Sequence, residues 1–402
     1  MHLLTFTSLY PNAVNPGHGV FVENRLVHLV AAGHTSAIVV APVPWFPSAN
    51  PVFGRFAEFA RVPRSEERHG IEILHPRYPT IPGIGALFAP LTMAIGARAA
   101  IARLIERGER FDAIDAHYFF PDGVAAAMLA RWFKLPLVIT ARGSDINLIA
   151  QQPVSRRAIL WAARVAGRLV TVSRALHDEL LALGVDASRV VVLRNGVDAE
   201  RFTPLDRVEA RRRHRIEATS QVVVSVGRLH AAKGHDLVIE AIAGLPDAQL
   251  LIVGGGSEDR ALRAHAEALG VAHRVRFLGQ QAHDELASLY AASDVLVLAS
   301  SNEGWPNVLL EAMACGTPVV ATNVGGVPEI VTSPEAGRII DERSPRAIEA
   351  ALRALFADPP DRAATRRYAE RYSWDETSRG QERLFESLLL ARSMDLACKV
   401  QP

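Results

Sequence analysis

Short apolar, β-branched runs alternate with amphipathic stretches along the whole chain. In the first half the runs read LLTFTS, SAIVVA, IEILH, DAIDA, PLVIT, RLVTVS and RVVVLR, separated by helical patterns such as VFVENRLVHLVAAG and DGVAAAMLARWF. Runs of this length, apolar throughout, are what strands buried on both faces of a parallel sheet require. Their alternation with helices predicts the βαβ rhythm of a doubly wound α/β sheet. The rhythm restarts after the turn-rich segment Asn195 to Pro204, with QVVVSVG, AQLLIVG, RVRFLG, DVLVLAS and PVVAT. The chain is therefore expected to hold two Rossmann-like domains, residues 1–200 and 201–373, with a last helix at 374–394 packing back on the first. Two such sheets facing each other would enclose a cleft between their carboxyl edges, a favoured place for ligands.

Composition narrows the function classes. A length of 402 residues suits two large domains, and a formal net charge of +1 gives no support to nucleic-acid binding. Cys315 and Cys398 are the only cysteines, too few for a disulfide framework or a Cys-rich metal site, which fits a reducing cytoplasm. The N-terminus MHLLTFTSLYPN has no basic region and reads as a first strand rather than a secretory signal. Tyr78 to Ala97 carries no charge, long enough to cross a bilayer, but Pro79, Pro82, Gly83, Gly85, Pro90 and Gly96 interrupt it. A loop leading into a helix is the expectation, with a peripheral membrane-facing surface as the alternative. The basic run RVEARRRHR is expected to be a solvated helix face.

Glycine clusters follow several of the strands. Gly17 and Gly19 in NPGHGVFVENRL would let backbone approach a ligand just before a helix, and VGGGS at Gly254 and VGGVPE offer similar turns. None is a dinucleotide fingerprint: Val22 stands where the third glycine belongs, and Gly254-Gly255-Gly256 is followed by Asp259 at the required position. The chain also lacks a GxxxxGK[ST] loop. In VGRLHAAKGHDLVIEA, Arg228 follows a strand and Lys233 precedes a helix, so both cations fall at a sheet's carboxyl edge, suited to a diphosphate. Two cations and helix N–H groups can stabilise a departing diphosphate without a metal, and the sequence has neither an Asp-x-Asp pair nor HExxH spacing.

The stretch SSNEGWPNVLLEAMACGTPVVATNVGGVPE places Glu303 and Glu311 eight residues apart across a strand–turn–helix junction. Pro306 suits the start of that helix, whose unpaired N–H groups favour an anion. The carboxylates must then serve something other than phosphate.

These motifs, in this order, resemble the retaining GT-B glycosyltransferases of family 4, over essentially the whole chain. The E-x7-E element from Glu303 to Glu311 carries most of the likeness, with GRLHAAKG and NGVD; DAHYFFPDG and ITARGSDIN look like members that build surface polysaccharides. The resemblance implies that Arg228 and Lys233 hold the donor diphosphate, with Gly17 and Gly19 closing over it. It implies that Glu311 accepts from ribose hydroxyls, that Glu303 contacts the transferred sugar, and that the amides from Gly304 through Trp305, Pro306 and Asn307 to Val308 lie along sugar and phosphate. The turns at Gly254 and at Leu278 would border the base. His117 matches the histidine near the reacting carbon. Where many members carry His-Gly, this chain has Arg142-Gly143, so Arg142, Ser144 and Asp145 are candidates for the acceptor contact.

The activity implied is metal-independent, cofactor-free transfer of a hexose-type sugar from a nucleotide-diphosphate sugar to a carbohydrate or lipid-linked hydroxyl, with retained configuration. Its place would be the cytoplasm or the inner membrane face. A nucleotide-sugar epimerase and a non-catalytic nucleotide-sugar-binding module remain as alternatives. Base, sugar and acceptor are not readable from these motifs.

Overall fold

Most of the apolar runs fold as the strands they predict. In the computed structural model, which describes residues 1–80 and 85–400, the chain forms two compact units: Met1–Arg194 with the segment from Asp375 onward, and Asn195–Trp374. The first holds strands β1 (His2–Phe6), β2 (Ser36–Val40), β3 (Val43–Pro44), β4 (Ser65–Arg68), β5 (Ile71–Leu74), β6 (Arg77–Tyr78), β7 (Ala113–His117), β8 (Leu137–Ala141), β9 (Arg168–Thr171) and β10 (Val190–Val192). Eight of them make one sheet in the order β10-β9-β8-β7-β1-β2-β5-β4, while β3 pairs with β6 alone. Only the edge strand β4 runs antiparallel to its neighbour in that sheet, and its Ser-Glu-Glu-Arg sequence suits an edge open to water. Every residue of β7 and β8 is buried, the reason these strands show no alternation.

The second unit holds β11 (Gln221–Val226), β12 (Ala248–Val253), β13 (Val275–Gly279), β14 (Val295–Leu298), β15 (Val319–Thr322) and β16 (Gly337–Ile340), in the order β13-β12-β11-β14-β15-β16, all parallel. Among the parallel strands of each sheet the order reverses once, between β1 and β7 in the first and between β11 and β14 in the second. Loops leaving two such strands diverge to opposite faces and open a crevice at the carboxyl edge.

Three sequence expectations are corrected. Pro90 and Gly96 do not interrupt the uncharged stretch: both lie inside the helix Gly85–Glu106. A Cβ at Gly96 would sit 2.5 Å from the Arg77 carbonyl oxygen, so this glycine marks a close approach to β6 rather than a break. Pro82 and Gly83 lie outside the described residues. The basic run is a solvated face only in part, with Arg212, Arg213 and Arg215 exposed as expected but Arg211 turned inward. In the helix Arg207–Arg213, Arg211 is buried and donates to the carbonyls of Ala292 and Glu217 and to Asp294.

The second unit begins at Asn195 rather than 201, because the chain is already anchored there. Trp305 Nε1 donates to the Asn195 carbonyl at 3.0 Å, and Val197 bridges to Ser373. From Asp375 the helix Trp374–Val400 belongs to the first unit, where Leu384, Phe385 and Leu388 join a core with Leu3, Ala113, Val138 and Val170. Gly167 has no room for a side chain against Leu388: a Cβ would come within 2.3 Å of its Cδ1.

Candidate active site

At the β11/β14 reversal two loops are pressed together. Gly234 has φ 67°, and a Cβ there would lie 2.2 Å from the Ala299 carbonyl oxygen, so the loop after β11 rests directly on the end of β14. This contact aligns Lys233 with Glu303. Lys233 Nζ donates to Glu303 Oε1 at 2.5 Å, and the same oxygen accepts from Ser300 Oγ at 2.6 Å. Gly325, at φ 51°, lies so close behind that a Cβ would meet the Glu303 carbonyl oxygen at 1.8 Å. Arg228 is exposed at the same edge, and among the described residues its guanidinium has no hydrogen bond or ion pair. One cation is thus neutralised by a carboxylate and the other is free for a ligand.

The helix after β14 runs from Asn307 to Ala314 with Pro306 at its N-cap. Proline has no N–H, so the amides of Asn307 and Val308, not an unbroken run from Gly304, are the first-turn donors of this helix. The Trp305 side chain turns inward, buried against Tyr372 at 6.1 Å between ring centroids. It anchors the turn. Asn307 Oδ1 accepts from Asn195 Nδ2 at 3.2 Å.

One face of the same helix carries Glu311, buried, with Tyr290 Oη donating to its Oε2 at 3.1 Å. Burial pushes the Glu311 carboxyl up to about 7, against the pull of Tyr290 and Arg201. Nothing in the local pattern around Tyr290 marked it as a partner, since it lies on a different helix. Gly254 packs its backbone on the Gly227 carbonyl, a Cβ there meeting that oxygen at 1.8 Å. Its N–H donates to Gly279, next to Leu278, at 2.8 Å. The glycines of this edge are therefore required by loop-on-loop packing.

In the first unit the β1/β7 reversal gathers a second group. Gly19, at φ 71°, caps the helix Val20–Ala31, and a Cβ would lie 2.2 Å from the Leu9 backbone, whereas Gly17 borders open space. The loop between them and β1 is held by Asp122, which is fully buried and accepts from Ser8 N and, at 3.2 Å, from Ser8 Oγ. Burial pushes the Asp122 carboxyl up to about 7. His117, the last residue of β7, is buried between Asp115, 3.3 Å from its Nε2, and Arg142, whose Nη2 lies 2.8 Å from its Nδ1. Burial pushes His117 down to about 4, the Arg142 and Arg25 charges adding to it while Asp115 opposes.

The three acceptor candidates separate. Arg142 points at His117 and stacks over the Phe21 ring at 5.3 Å. Asp145 is buried and accepts from the backbone N–H groups of Phe119, Arg142 and Gly143, so it clamps the loops after β7 and β8. Ser144 is exposed, its hydroxyl 2.7 Å from Tyr118 Oη, and remains in reach of a ligand. Sequence reasoning missed Ser8, Asp115, Asp122 and Tyr290; of these, Asp115 and Asp122 bracket His117 in DAHYFFPD and carried the nearest thing to a signal. Among the described residues no three His, Cys, Asp or Glu side chains gather as metal ligands.

Comparison with known proteins identifies the family. Residues 206–372 match the family of glycosyl transferases group 1, and residues 17–201 match Glycosyltransferase Family 4. The D-inositol 3-phosphate glycosyltransferase of Corynebacterium urealyticum is 31% identical over 347 residues, covering 79% of this chain and 81% of that protein. The same-named enzyme of Geodermatophilus obscurus is 32% identical over 351 residues, covering 81% and 78%. Among solved structures, sucrose-phosphate synthase from Thermosynechococcus elongatus superposes with a TM-score of 0.79 at 22% identity, covering 97% of this chain and 99% of that one. HepE of Anabaena, solved in complex with UDP, gives 0.73 at 21% identity over 96% and 100%.

Proposed function

Because the chain belongs to the family 4 glycosyltransferases, we propose that it moves a sugar from a nucleotide-diphosphate sugar to a hydroxyl acceptor with retention of configuration. The observation that carries this reading is the β11/β14 edge: a free Arg228, a Lys233 paired with Glu303, and a helix N-terminus at Asn307. Two cations and two helix amides suit a departing diphosphate, so charge develops where donors already point. Glu303 takes a hydroxyl of the transferred sugar, and Glu311, further along the same helix, takes the ribose hydroxyls. The bond from the anomeric carbon to the diphosphate breaks as the acceptor oxygen bonds on the same face, and the acceptor proton leaves on the departing phosphate oxygen. A leaving group stabilised this way needs no metal ion.

The acceptor is a carbohydrate or lipid-linked hydroxyl of surface polysaccharide or glycolipid assembly, met in the cytoplasm at the inner membrane face. Supporting this, Leu87, Phe88, Leu91 and Ile95 are exposed on the helix Gly85–Glu106, spaced to share one side. By length and composition alone, its part from Leu87 to Glu106 is apolar enough to cross a membrane, although it is partly buried. The relatives named for inositol 3-phosphate make a phosphorylated polyol the first soluble acceptor to include.

A thermal-shift screen against nucleoside diphosphates and nucleotide sugars, followed by product analysis with and without acceptors, tests the reading. A ligand at about 100 times its dissociation constant stabilises by roughly 2.7 kcal/mol. Conversion of the donor without an acceptor would point to an epimerase, and tight donor binding without turnover on a broad acceptor panel to a binding module.

A further inference from the structure

The charges around His117 form a chain that starts on the C-terminal helix. Arg25, fully buried on the helix Val20–Ala31, donates through Nε to Gln381 Oε1 at 2.9 Å. Gln381 donates through Nε2 to Asp115 Oδ2 at 3.0 Å, and that oxygen lies 3.3 Å from His117 Nε2. On the other side of the ring, Arg142 Nη2 lies 2.8 Å from Nδ1. A guanidinium can only donate. Nδ1 is therefore unprotonated, Nε2 carries the proton toward Asp115, and both ring nitrogens are engaged within the protein.

The charge count points the same way. Arg25 and Arg142 both act on Asp115, and Asp145 also attracts the Arg142 guanidinium. Asp145 holds the backbone of the Arg142 loop, and Asp122 and Tyr118 lie on the segment after β7. Protonating His117 would place a third cation beside Asp115 out of water, which a dry site opposes. Burial alone would raise the Asp115 carboxyl, but His117, Arg25 and Arg142 together hold it below the usual carboxylate range.

We propose that Arg142 and Gln381 are positioning residues of the transferase, which lock His117 as the neutral Nε2-protonated tautomer so that it shapes the site without exchanging a proton with substrate. The inference rests on the transferase reading and on the resemblance that puts His117 near the reacting carbon. It moves Arg142 from acceptor contact to support of the ring, and gives the C-terminal helix a direct part in the site. It also accounts for arginine at this position: its long planar donor spans from the β8 loop to Nδ1 while keeping a charge that disfavours imidazolium.

The test is nitrogen NMR of ¹⁵N-histidine-labelled full chain, with His117 assigned by the spectrum of His117→Gln. Wild type should show the Nε2-protonated form unchanged from pH 5.5 to 8. Arg142→Met removes one of two opposing cations and should bring the His117 titration up by about one pH unit or more, with an acid limb appearing in kcat/KM at the same midpoint. Arg142→Lys, which keeps the charge, should largely restore the wild-type titration, and Gln381→Leu should mix the two tautomers. A wild-type ring that titrates near its ordinary value or carries its proton on Nδ1 overturns the proposal, as does an Arg142→Met protein with unchanged spectra and profile. Should Arg142→Met fail to fold, Gln381→Leu carries the test alone, and an unchanged single tautomer in that variant overturns the proposal. A protein that turns over no nucleotide sugar would refute the transferase reading while leaving the NMR result intact, so the two failures are distinct.

Discussion

Replacing Glu303 by alanine is expected to tighten the binding of a nucleoside diphosphate while lowering turnover. The sign follows from the Lys233–Glu303 pair, 2.5 Å apart with side chains 30% and 10% exposed. A phosphate that takes a hydrogen bond from Lys233 brings its charge to about 6 Å from the Glu303 carboxylate. At an effective dielectric of about 20, two like unit charges at that distance repel by roughly 2.8 kcal/mol. Solvent around Lys233 screens part of this, and losing Glu303 frees the ammonium to wander, so the net gain is about 1 kcal/mol, a roughly fivefold tighter complex. Turnover falls because the lost carboxylate served the sugar as it moves toward the transition state. Calorimetric titration of wild type, Glu303→Ala, Lys233→Ala and the double variant with UDP, ADP and GDP measures each term. Lys233→Ala alone should lose about 1.5–3 kcal/mol, and the double variant should show that the two changes are not additive. Weaker diphosphate binding in Glu303→Ala, to the extent seen in Glu311→Ala, would refute the reasoning.

Further outcomes follow from the same site. Glu311 has a folded pKa of about 7, raised above its unfolded value by burial, so the folded state prefers its proton. Its contribution is therefore fully present below pH 4.5 and lost as pH rises through 7. Glu311→Gln should accordingly be more stable than wild type at pH 8 by up to about 3 kcal/mol and equal to it near pH 4, as read from urea midpoints; a constant difference across pH would contradict this. Gly325→Ala places a methyl 1.8 Å from the Glu303 carbonyl at a left-handed φ. It should cost about 2–4 kcal/mol and reduce turnover further than that loss explains, and an unchanged melting temperature would show the contact to be soft. Transfer should persist in excess chelator; loss restored by magnesium or manganese would show that Arg228 and Lys233 do not suffice.

The strands were legible where burial on both faces made them continuous apolar runs, as in Val295–Leu298 and Val319–Thr322. They were hidden where that cause is absent. β4 is polar because it is an edge, and β16 opens with Gly337, whose Cβ would collide with the Val319 carbonyl. The E-x7-E element was readable because strand, turn and helix are local, and local order fixes which residues share an edge. What could not be read were contacts made by the topology. Gln381 reaches Asp115 from 266 residues away, and Tyr290 reaches Glu311 from another helix. Arg142 is three residues from Asp145, yet its guanidinium faces His117 while its backbone N–H faces Asp145, a division no spacing rule predicts.

The central claim is sugar transfer with retention from a nucleotide-diphosphate donor, and the anomeric proton of the product tests it most directly. With an α-linked donor and a competent acceptor, proton NMR of the first-formed product should show the small anomeric coupling of an α-linkage, with the nucleoside diphosphate released in equal amount. A β-linked product, or diphosphate release with no new glycosidic bond, would contradict the account.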